Sequence, residues 1–269
     1  MHLLSIFWNP SPEIFEFGGF AIRWYGLFFA LSFFFGYLIM LKFFKKEGVP
    51  EKLLDELTTY MIIGTIVGAR LGHVFFYEPE YYLAHPIKIF KVWEGGLASH
   101  GAAIGIITSI LIFSYIRKKP FLWVIDRIVV VVALSGFMIR MGNLMNSEIY
   151  GLPTTLPWGF FFPRSTTPSD GLVARHPTQI YEGLSYLCIF LILWWYYYKK
   201  DGKPAPGFLF GLFMILVFGL RFVVEFIKEP QVGFESGLYL NMGQILSIPF
   251  VIAGITFIYL SSRKAEKSG

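Results

Sequence analysis

Seven long apolar stretches, separated by short polar segments, follow one another along the 269-residue chain. Each has about 20 residues, the length that crosses the hydrocarbon core of a bilayer as a helix. The pattern predicts an all-α integral membrane protein that forms a single seven-helix membrane domain over residues 1–269. The predicted spans are Ile22–Leu41, Thr58–Phe76, Gly95–Ile116, Phe121–Met141, Gln179–Tyr198, Pro206–Phe226 and Gln244–Leu260.

Two of the polar segments are longer than a turn. Residues 77–94 are amphipathic and rich in Tyr and Trp, and we expect them to form an interfacial arm. Residues 147–176 contain Pro153, Pro157, Pro163 and Pro168, and they predict a small, irregular cap. The recurring glycines Gly64, Gly68 and Gly72 in the second span, and Gly101 and Gly105 in the third, predict close helix packing.

Composition and charge support a membrane location and predict an orientation. Only 15% of the residues are charged, against about 25% in soluble domains. Thirteen of the 23 basic residues lie in the loops after the first, third and fifth spans and at the C-terminus, against six on the opposite side. Cytoplasmic loops are enriched in Lys and Arg. We therefore expect a periplasmic N-terminus, a cytoplasmic C-terminus and a periplasmic arm and cap, and we expect no nucleic-acid binding.

Polar side chains within the spans are concentrated in the predicted outer half of the membrane. Arg70, Arg140 and Arg221 stand out, because an arginine at mid-bilayer costs about 2.5–3.5 kcal/mol and usually marks function. Only three glutamates lie near enough in sequence to offset them: Glu148, Glu182 and Glu225. A surplus of guanidinium groups suits an anion, since Arg binds phosphate through a planar fork. In a membrane, the phosphate of a phospholipid headgroup is the expected ligand.

Structural explanations compete with this interpretation. Arg221 and Glu225 have the spacing of an intrahelical ion pair, and Asn143 is suited to a helix-to-helix hydrogen bond. His73 is more often a packing residue than a ligand. A metal site built from histidines is disfavoured by the nearby arginines, so no metal or other cofactor is expected.

Seven segments resemble the prolipoprotein diacylglyceryl transferase family, in the family's order and over essentially the whole chain. They are RWYGL (Arg23–Leu27), GARLGHVFFY (Gly68–Tyr77), WEGGLASHGAAIG (Trp93–Gly105), RMGNLMNSEIYG (Arg140–Gly151), RHPTQIYEG (Arg175–Gly183), RFVVEFIKEP (Arg221–Pro230) and MGQILSIP (Met242–Pro249). The resemblance implies an enzyme of the bacterial plasma (inner) membrane, with its active site facing the periplasm and the outer leaflet.

The implied reaction transfers the sn-1,2-diacylglyceryl group of phosphatidylglycerol to the lipobox cysteine of a prolipoprotein signal peptide. It forms a thioether and releases glycerol phosphate. The expected partners are therefore phosphatidylglycerol, prolipoprotein signal peptides and the lipid bilayer. A transporter for an anionic solute and a lipid-binding scaffold are the alternatives. The first would place polar residues across the whole membrane depth, often within inverted repeats.

The resemblance also assigns residues, by position in this sequence. It implies that His100, Arg140 and Arg221 are catalytic, with Glu225 orienting Arg221. His100 is either the base that takes the thiol proton or a donor that positions the lipid. The residues expected to bind substrate are Arg140, Asn143, Glu148, Gly151, Tyr25 and Glu225, and Arg70 joins them because of its expected burial in the membrane.

The chain departs from the family pattern at three places. Ile139 precedes Arg140 where the family commonly has glycine, and Ala102 replaces a second glycine after His100. The family commonly ends the sixth span with Arg-Glu-Pro-Asp, whereas this chain has Lys228 and Gln231 at the first and last of these positions. We expect these departures to affect local backbone geometry and a peripheral charge, and to leave the core roles unchanged.

Overall fold

The computed structural model describes residues 6–18, 20–165, 173–229 and 240–268. Seven helices in this part of the chain are long and apolar enough to cross a membrane, which confirms the predicted fold class. They have 17 to 27 residues, or about 26–40 Å at 1.5 Å per residue. They are α1 (Trp24–Lys46), α2 (Glu51–Phe76), α4 (Ser99–Arg117), α5 (Phe121–Met145), α6 (Thr178–Lys199), α7 (Phe208–Val224) and α8 (Met242–Ser268), with the short α3 (Pro79–Ala84) after α2.

The helices extend beyond the predicted spans at several ends. Helix α1 continues to Lys46 rather than ending at Leu41, and α2 begins at Glu51 rather than at Thr58. Hydropathy detects only the apolar part of a helix, whereas the backbone hydrogen bonds continue into charged residues. The orientation across the membrane stays a prediction from the basic loops.

Residues 40–125 form one of two compact units, in which α2 packs closely against α4. A methyl group at Gly68 would lie 2.8 Å from Cα of Gly105, and one at Gly72 would lie 2.6 Å from Cα of Gly101. Small residues four positions apart allow helix backbones to approach in this way. Helix packing therefore accounts for the glycine spacing in both spans.

The arm, residues 77–94, belongs to the same unit and is built from α3 and two 3-10 turns, Pro86–Phe90 and Val92–Glu94. Ile87, Phe90 and Trp93 are exposed by 76%, 77% and 76%. Exposed apolar and aromatic groups beside charged ones are typical of a segment at a membrane interface. The placement of the arm on a membrane stays a prediction.

Residues 1–39 and 126–269 form the other compact unit. In it α7 packs against α8, where a methyl group at Gly211 or Gly254 would lie 2.7 Å from the carbonyl oxygen of the other. The carboxylate of Asp126 accepts hydrogen bonds from the N–H groups of Gly207 (2.7 Å) and Phe210 (2.8 Å). These contacts satisfy amide groups of the first turn of α7 that have no partner within the helix.

Short strands, which the all-α prediction does not include, precede α1 and lie in the cap, residues 147–176. They are β1 (Ile6–Phe7), β2 (Glu13–Phe17), β3 (Phe20–Arg23) and β4 (Phe160–Phe161). β1 pairs in parallel with β4, and β2 pairs antiparallel with β3. Leu144, Phe160 and Phe162 form a small apolar core against which Trp8 packs. Strands this short have too little alternation to be recognised from sequence. Residues 166–172 of the cap lie outside the described residues.

Candidate active site

Arg140 lies near the C-terminal end of α5, where three neighbours hold its guanidinium group. Its Nε lies 2.8 Å from Oε2 of Glu182, and its Nη1 donates to Oδ1 of Asn143 at 3.1 Å. The hydroxyl of Tyr186 accepts a further hydrogen bond from Arg140. The side chain of Arg140 is 14% exposed, so protein contacts rather than bulk water fix the position of its charge.

Glu182 is the carboxylate that joins two cations in this cluster. It is fully buried, with Oε2 facing Arg140 and Oε1 3.4 Å from Nζ of Lys228. Nζ of Lys228 also lies 3.8 Å from Oε2 of Glu225. Buried charges require such pairing, because an isolated ion in an apolar environment is strongly destabilising.

Lys228, one of the departures from the family pattern, lies inside this cluster. Its side chain is only 5% exposed and faces two carboxylates. A backbone bridge between Gly151 and Lys228, with a hydrogen bond from the N–H of Leu152 to the oxygen of Ile227 at 2.9 Å, holds this segment beside the cluster. The bridge joins residues that are far apart in sequence, so hydropathy and motif spacing do not reveal it.

The interpretation of Arg221 and Glu225 as an intrahelical ion pair is wrong. Helix α7 ends at Val224, and a 3-10 turn covers Glu225–Ile227. With three residues per turn, Glu225 faces Lys228 at i+3, and no ion pair joins it to Arg221 among the described residues. The charge of Arg221 interacts with Tyr186 and Lys228. Its Nε has no hydrogen-bond partner in the described part of the chain.

The start of α8 makes room for Glu225. A methyl group at Gly243 would lie 2.5 Å from Cδ of Glu225. Asn241 and Gln244 form a reciprocal capping box: the N–H of Gln244 donates to Oδ1 of Asn241 at 2.9 Å, and the N–H of Asn241 donates to Oε1 of Gln244 at 3.1 Å. Helix capping therefore explains why two polar residues open the seventh span.

The turn after α5 presents Glu148 to two asparagines. Nδ2 of Asn143 and Nδ2 of Asn146 donate to Oε1 of Glu148 at 2.8 Å and 3.1 Å. Ser147 and Ile149 flank Glu148 with φ of 54° and 59°. Such left-handed conformations cost of the order of 1–3 kcal/mol in residues other than glycine, and they cluster at functional sites. The strained turn therefore supports the assignment of this segment to the site.

Gly151 lies where three segments meet. A Cβ atom at this position would lie 2.5 Å from the carbonyl oxygen of Ile227 and 2.8 Å from side-chain carbons of both His176 and Thr178. The N–H of Gly151 also donates to the carbonyl oxygen of His176 at 2.8 Å. Gly151 is thus needed for packing, and its predicted contact with substrate stays a prediction.

Tyr25, in the first turn of α1, packs against Gly142 of α5. A methyl group at Gly142 would lie 2.8 Å from Cδ2 of Tyr25. Tyr25 also interacts electrostatically with Glu148 and Arg140. Seven of the predicted residues therefore lie in this unit, at or beside one polar cluster: Tyr25, Arg140, Asn143, Glu148, Gly151, Arg221 and Glu225.

Arg70 lies in the other unit, where its donors are occupied by backbone carbonyl groups. Nε donates to the oxygen of Ile89 at 2.9 Å, Nη1 to that of Gly95 at 2.5 Å and Nη2 to that of Lys88. The guanidinium carbon lies 4.8 Å from the ring centroid of Tyr82. These contacts tie the arm to α2 and favour a structural role. The predicted role in substrate binding stays a prediction.

His100 lies in the first turn of α4, because that helix begins at Ser99 rather than at the predicted Gly95. Its imidazole is exposed and contacts the rings of Phe76 and Tyr77, with centroids 5.2 Å and 5.7 Å away. Tyr77 in turn stacks on His73 at 5.5 Å, which agrees with a packing role for His73. No hydrogen bond to the His100 ring occurs among the described residues, so its nitrogens are accessible to a substrate.

Glu182, Tyr186 and Lys228 are central to the cluster, yet the predicted site omits them. From sequence, Glu182 is predicted only to offset the arginines. A stronger signal is available on α6, where Gln179, Glu182 and Tyr186 follow an i, i+3, i+7 pattern. Polar residues at this spacing share one face of a helix, which in a membrane span indicates a buried polar site.

The fold and this cluster define a class of protein. The chain is a multi-pass membrane protein in which arginine, lysine and glutamate side chains from α5, α6 and the end of α7 form a buried, hydrogen-bonded site. Guanidinium groups held in this way are suited to binding an anion such as a phosphate.

Comparison with known proteins identifies the family. The family model described as prolipoprotein diacylglyceryl transferase matches residues 12–260. A protein of Tolumonas auensis named phosphatidylglycerol–prolipoprotein diacylglyceryl transferase is 48% identical over 265 residues, covering 97% of this chain and 100% of the relative. Proteins of the same name from Chloroherpeton thalassium and Porphyromonas gingivalis are each 48% identical, over 97% and 94% of this chain and 96% and 93% of their own lengths. The chain belongs to the prolipoprotein diacylglyceryl transferase family.

Proposed function

We infer that this protein is a transferase that moves the diacylglyceryl group of phosphatidylglycerol to prolipoproteins, the first step of lipoprotein maturation. Its family and the names of its relatives support this activity over nearly the whole chain. The structural observation that carries the inference is the buried cluster in which Arg140, Glu182 and Lys228 are joined.

We propose that this cluster binds the phosphate of phosphatidylglycerol. Around Glu182, the cations Arg140, Arg221 and Lys228 outnumber the carboxylates Glu182 and Glu225 by one positive charge. Glu148 is not counted here, because its side chain is hydrogen-bonded to Asn143 and Asn146 rather than to these cations. A phosphodiester carries one negative charge and would neutralise it. Donors on a fixed guanidinium also need little rearrangement as charge develops in the transition state.

The proposed acceptor is the thiol of a lipobox cysteine in the signal peptide. Its thiolate attacks the glyceryl carbon that bears the phosphate, so that an S–C bond forms and the C–O bond to phosphate breaks. The leaving glycerol phosphate keeps the electron pair and gains one negative charge, while the thiol proton goes to a base. Arg140 and Arg221 stabilise the new charge, and no covalent enzyme intermediate is required.

For His100 we propose the role of that base. An imidazole can exchange a proton near neutral pH, and its ring is exposed. Replacing His100 by glutamine should abolish thioether formation while lipid binding is retained. The variant His85→Gln, which changes an exposed histidine of the arm, should behave as wild type. Near-normal turnover by His100→Gln would exclude the base role and leave the positioning role.

We further propose that the protein resides in the bacterial plasma membrane with this site open to the periplasm and the outer leaflet. The basic loops on the opposite side support this orientation. Labelling of single cysteines in the cap and in the loop after α6, with a membrane-impermeant reagent on intact spheroplasts, tests it. Reaction at the loop after α6 but not in the cap would reverse the orientation.

The activity is tested with purified protein, phosphatidylglycerol and a synthetic lipobox peptide. The expected product is the peptide heavier by one diacylglyceryl group in thioether linkage, with none formed from a Cys→Ser peptide. Lipid binding without the mass increase would indicate a scaffold. Anion flux in proteoliposomes without the mass increase would indicate a transporter.

A further inference from the structure

Lys228 is a buried cation to which the proposed reaction assigns no part in bond making or bond breaking. It is the first residue after the sixth span, and its Nζ lies between Glu182 of α6 (3.4 Å) and Glu225 of the 3-10 turn (3.8 Å). Arg140 and Arg221 act on it as like charges. An ammonium group next to two guanidinium groups is repelled by them. This position is stable only if the nearby carboxylates offset that repulsion.

The ion pairs of Glu182 and Glu225 indicate how these carboxylates would be paired if the ammonium group of Lys228 were absent. Glu182 pairs with Arg140 only through Oε2, which lies 2.8 Å from Nε, and its other oxygen faces Lys228. Glu225 faces Lys228, and it makes no ion pair with Arg221 among the described residues. Without Lys228, Glu182 would keep only Arg140 as an ion-pair partner among the described residues, and the charge of Glu225 also acts on Arg140. A carboxylate can take two parallel N–H donors from one guanidinium group.

We propose that Lys228 is a positioning residue: by neutralising Glu182 and Glu225, its ammonium group keeps N–H donors of the two neighbouring arginines available to the anionic headgroup. This inference rests on the proposed phosphate site. Lys228 itself does not contact the reacting atoms. Its replacement by a neutral residue removes the single excess positive charge of the cluster and lets the carboxylates compete with the lipid for the guanidinium groups.

The test measures thioether formation at varied phosphatidylglycerol content in mixed micelles. For Lys228→Met we expect the KM for phosphatidylglycerol to rise roughly 10- to 100-fold, as for the loss of a charged hydrogen bond. The kcat and the KM for the lipobox peptide should change less than about threefold. Lys228→Arg should restore the KM for lipid, since it keeps the charge. Lys203→Met, at an exposed lysine after α6, should match wild type.

A pH series gives a readout that a purely structural role would not change. Burial lowers the pKa of Lys228 below its ordinary value, and the adjacent Glu182 and Glu225 only partly oppose this. As pH rises through that lowered pKa, the ammonium group loses its charge, so the KM of wild type for phosphatidylglycerol should rise. Arginine stays protonated, so Lys228→Arg should show no such rise.

Each outcome decides the inference. A lipid KM for Lys228→Met within twofold of wild type overturns it. An equal rise at alkaline pH in the KM for phosphatidylglycerol of wild type and of Lys228→Arg also overturns it. This comparison can be made even if Lys228→Met does not fold. If wild type forms no thioether at all, the proposed function fails; if wild type is active and these comparisons are negative, only the role of Lys228 fails.

Discussion

Replacing Arg140 by lysine keeps a positive charge at the end of α5 but removes the planar fork. The guanidinium group of Arg140 forms an ion pair with Glu182 at 2.8 Å, and it donates hydrogen bonds to Asn143 at 3.1 Å and to Tyr186. A lysine has one nitrogen, which cannot keep these protein contacts and also offer two parallel N–H groups to a phosphate. We therefore expect Arg140→Lys to fold while losing transition-state stabilisation.

The expected size of the effect follows from the hydrogen bonds that lysine cannot make. A hydrogen bond to a charged group contributes about 1.5–3 kcal/mol, and each 1.36 kcal/mol changes a rate tenfold. Loss of one such bond to the phosphate in the transition state should lower kcat/KM about 10- to 150-fold. Larger reductions are expected if the ammonium group moves onto Glu182, because the phosphate is then deprived of the charge as well.

The assay is the initial rate of thioether formation on a lipobox peptide, followed by mass spectrometry at fixed lipid content. Arg263→Lys is a matched control, because Arg263 is exposed near the end of α8, where it lies over the ring of Tyr259. It should stay within about twofold of wild type. If Arg140→Lys is also within twofold, bidentate phosphate binding by Arg140 is refuted.

Three further predictions concern packing and pH. Gly151→Ala should lower activity strongly and the melting temperature measurably. Its methyl group would overlap three segments, and overpacking of this kind costs about 1–3 kcal/mol. Unchanged activity would contradict this prediction. Burial lowers the pKa of His176, so the folded protein favours the neutral ring and should lose stability as pH falls through about 6.5. The thermal stability of His176→Asn should depend less on pH between 7.5 and 5.5 than that of wild type or the exposed-site control His85→Asn. Gly68→Ala should lower the melting temperature by several degrees, because its methyl group would force α2 and α4 apart where they cross. Gly219→Ala should not, because the space around Gly219 is open.

Much of the architecture could be predicted without coordinates. Seven apolar runs correspond to seven helices because a bilayer imposes both the length and the composition of a spanning segment. The grouping of Arg140, Asn143 and Glu148 also followed from sequence, since they lie within about two turns of the same helix end. Local spacing is sufficient for such a prediction.

The pairing of charges could not be predicted in the same way. The spacing of Arg221 and Glu225 predicts a helical ion pair, but the helix tightens into a 3-10 turn at Glu225 and directs this carboxylate toward Lys228. Similarly, the donors of Arg70 bond to carbonyl groups 18 to 26 residues further along the chain. Neither arrangement has a local sequence signal.

The sequence by itself therefore determined that the protein is a seven-helix membrane protein, which segments are long and apolar enough to span the bilayer, and which arginines lie within them. Tertiary structure decided which carboxylate neutralises which cation, and it placed Lys228 inside the cluster. The physical reason is that hydropathy and helix periodicity act over neighbouring residues. The energy of a buried charge depends instead on atoms within a few ångströms, and these come from segments far apart in the chain.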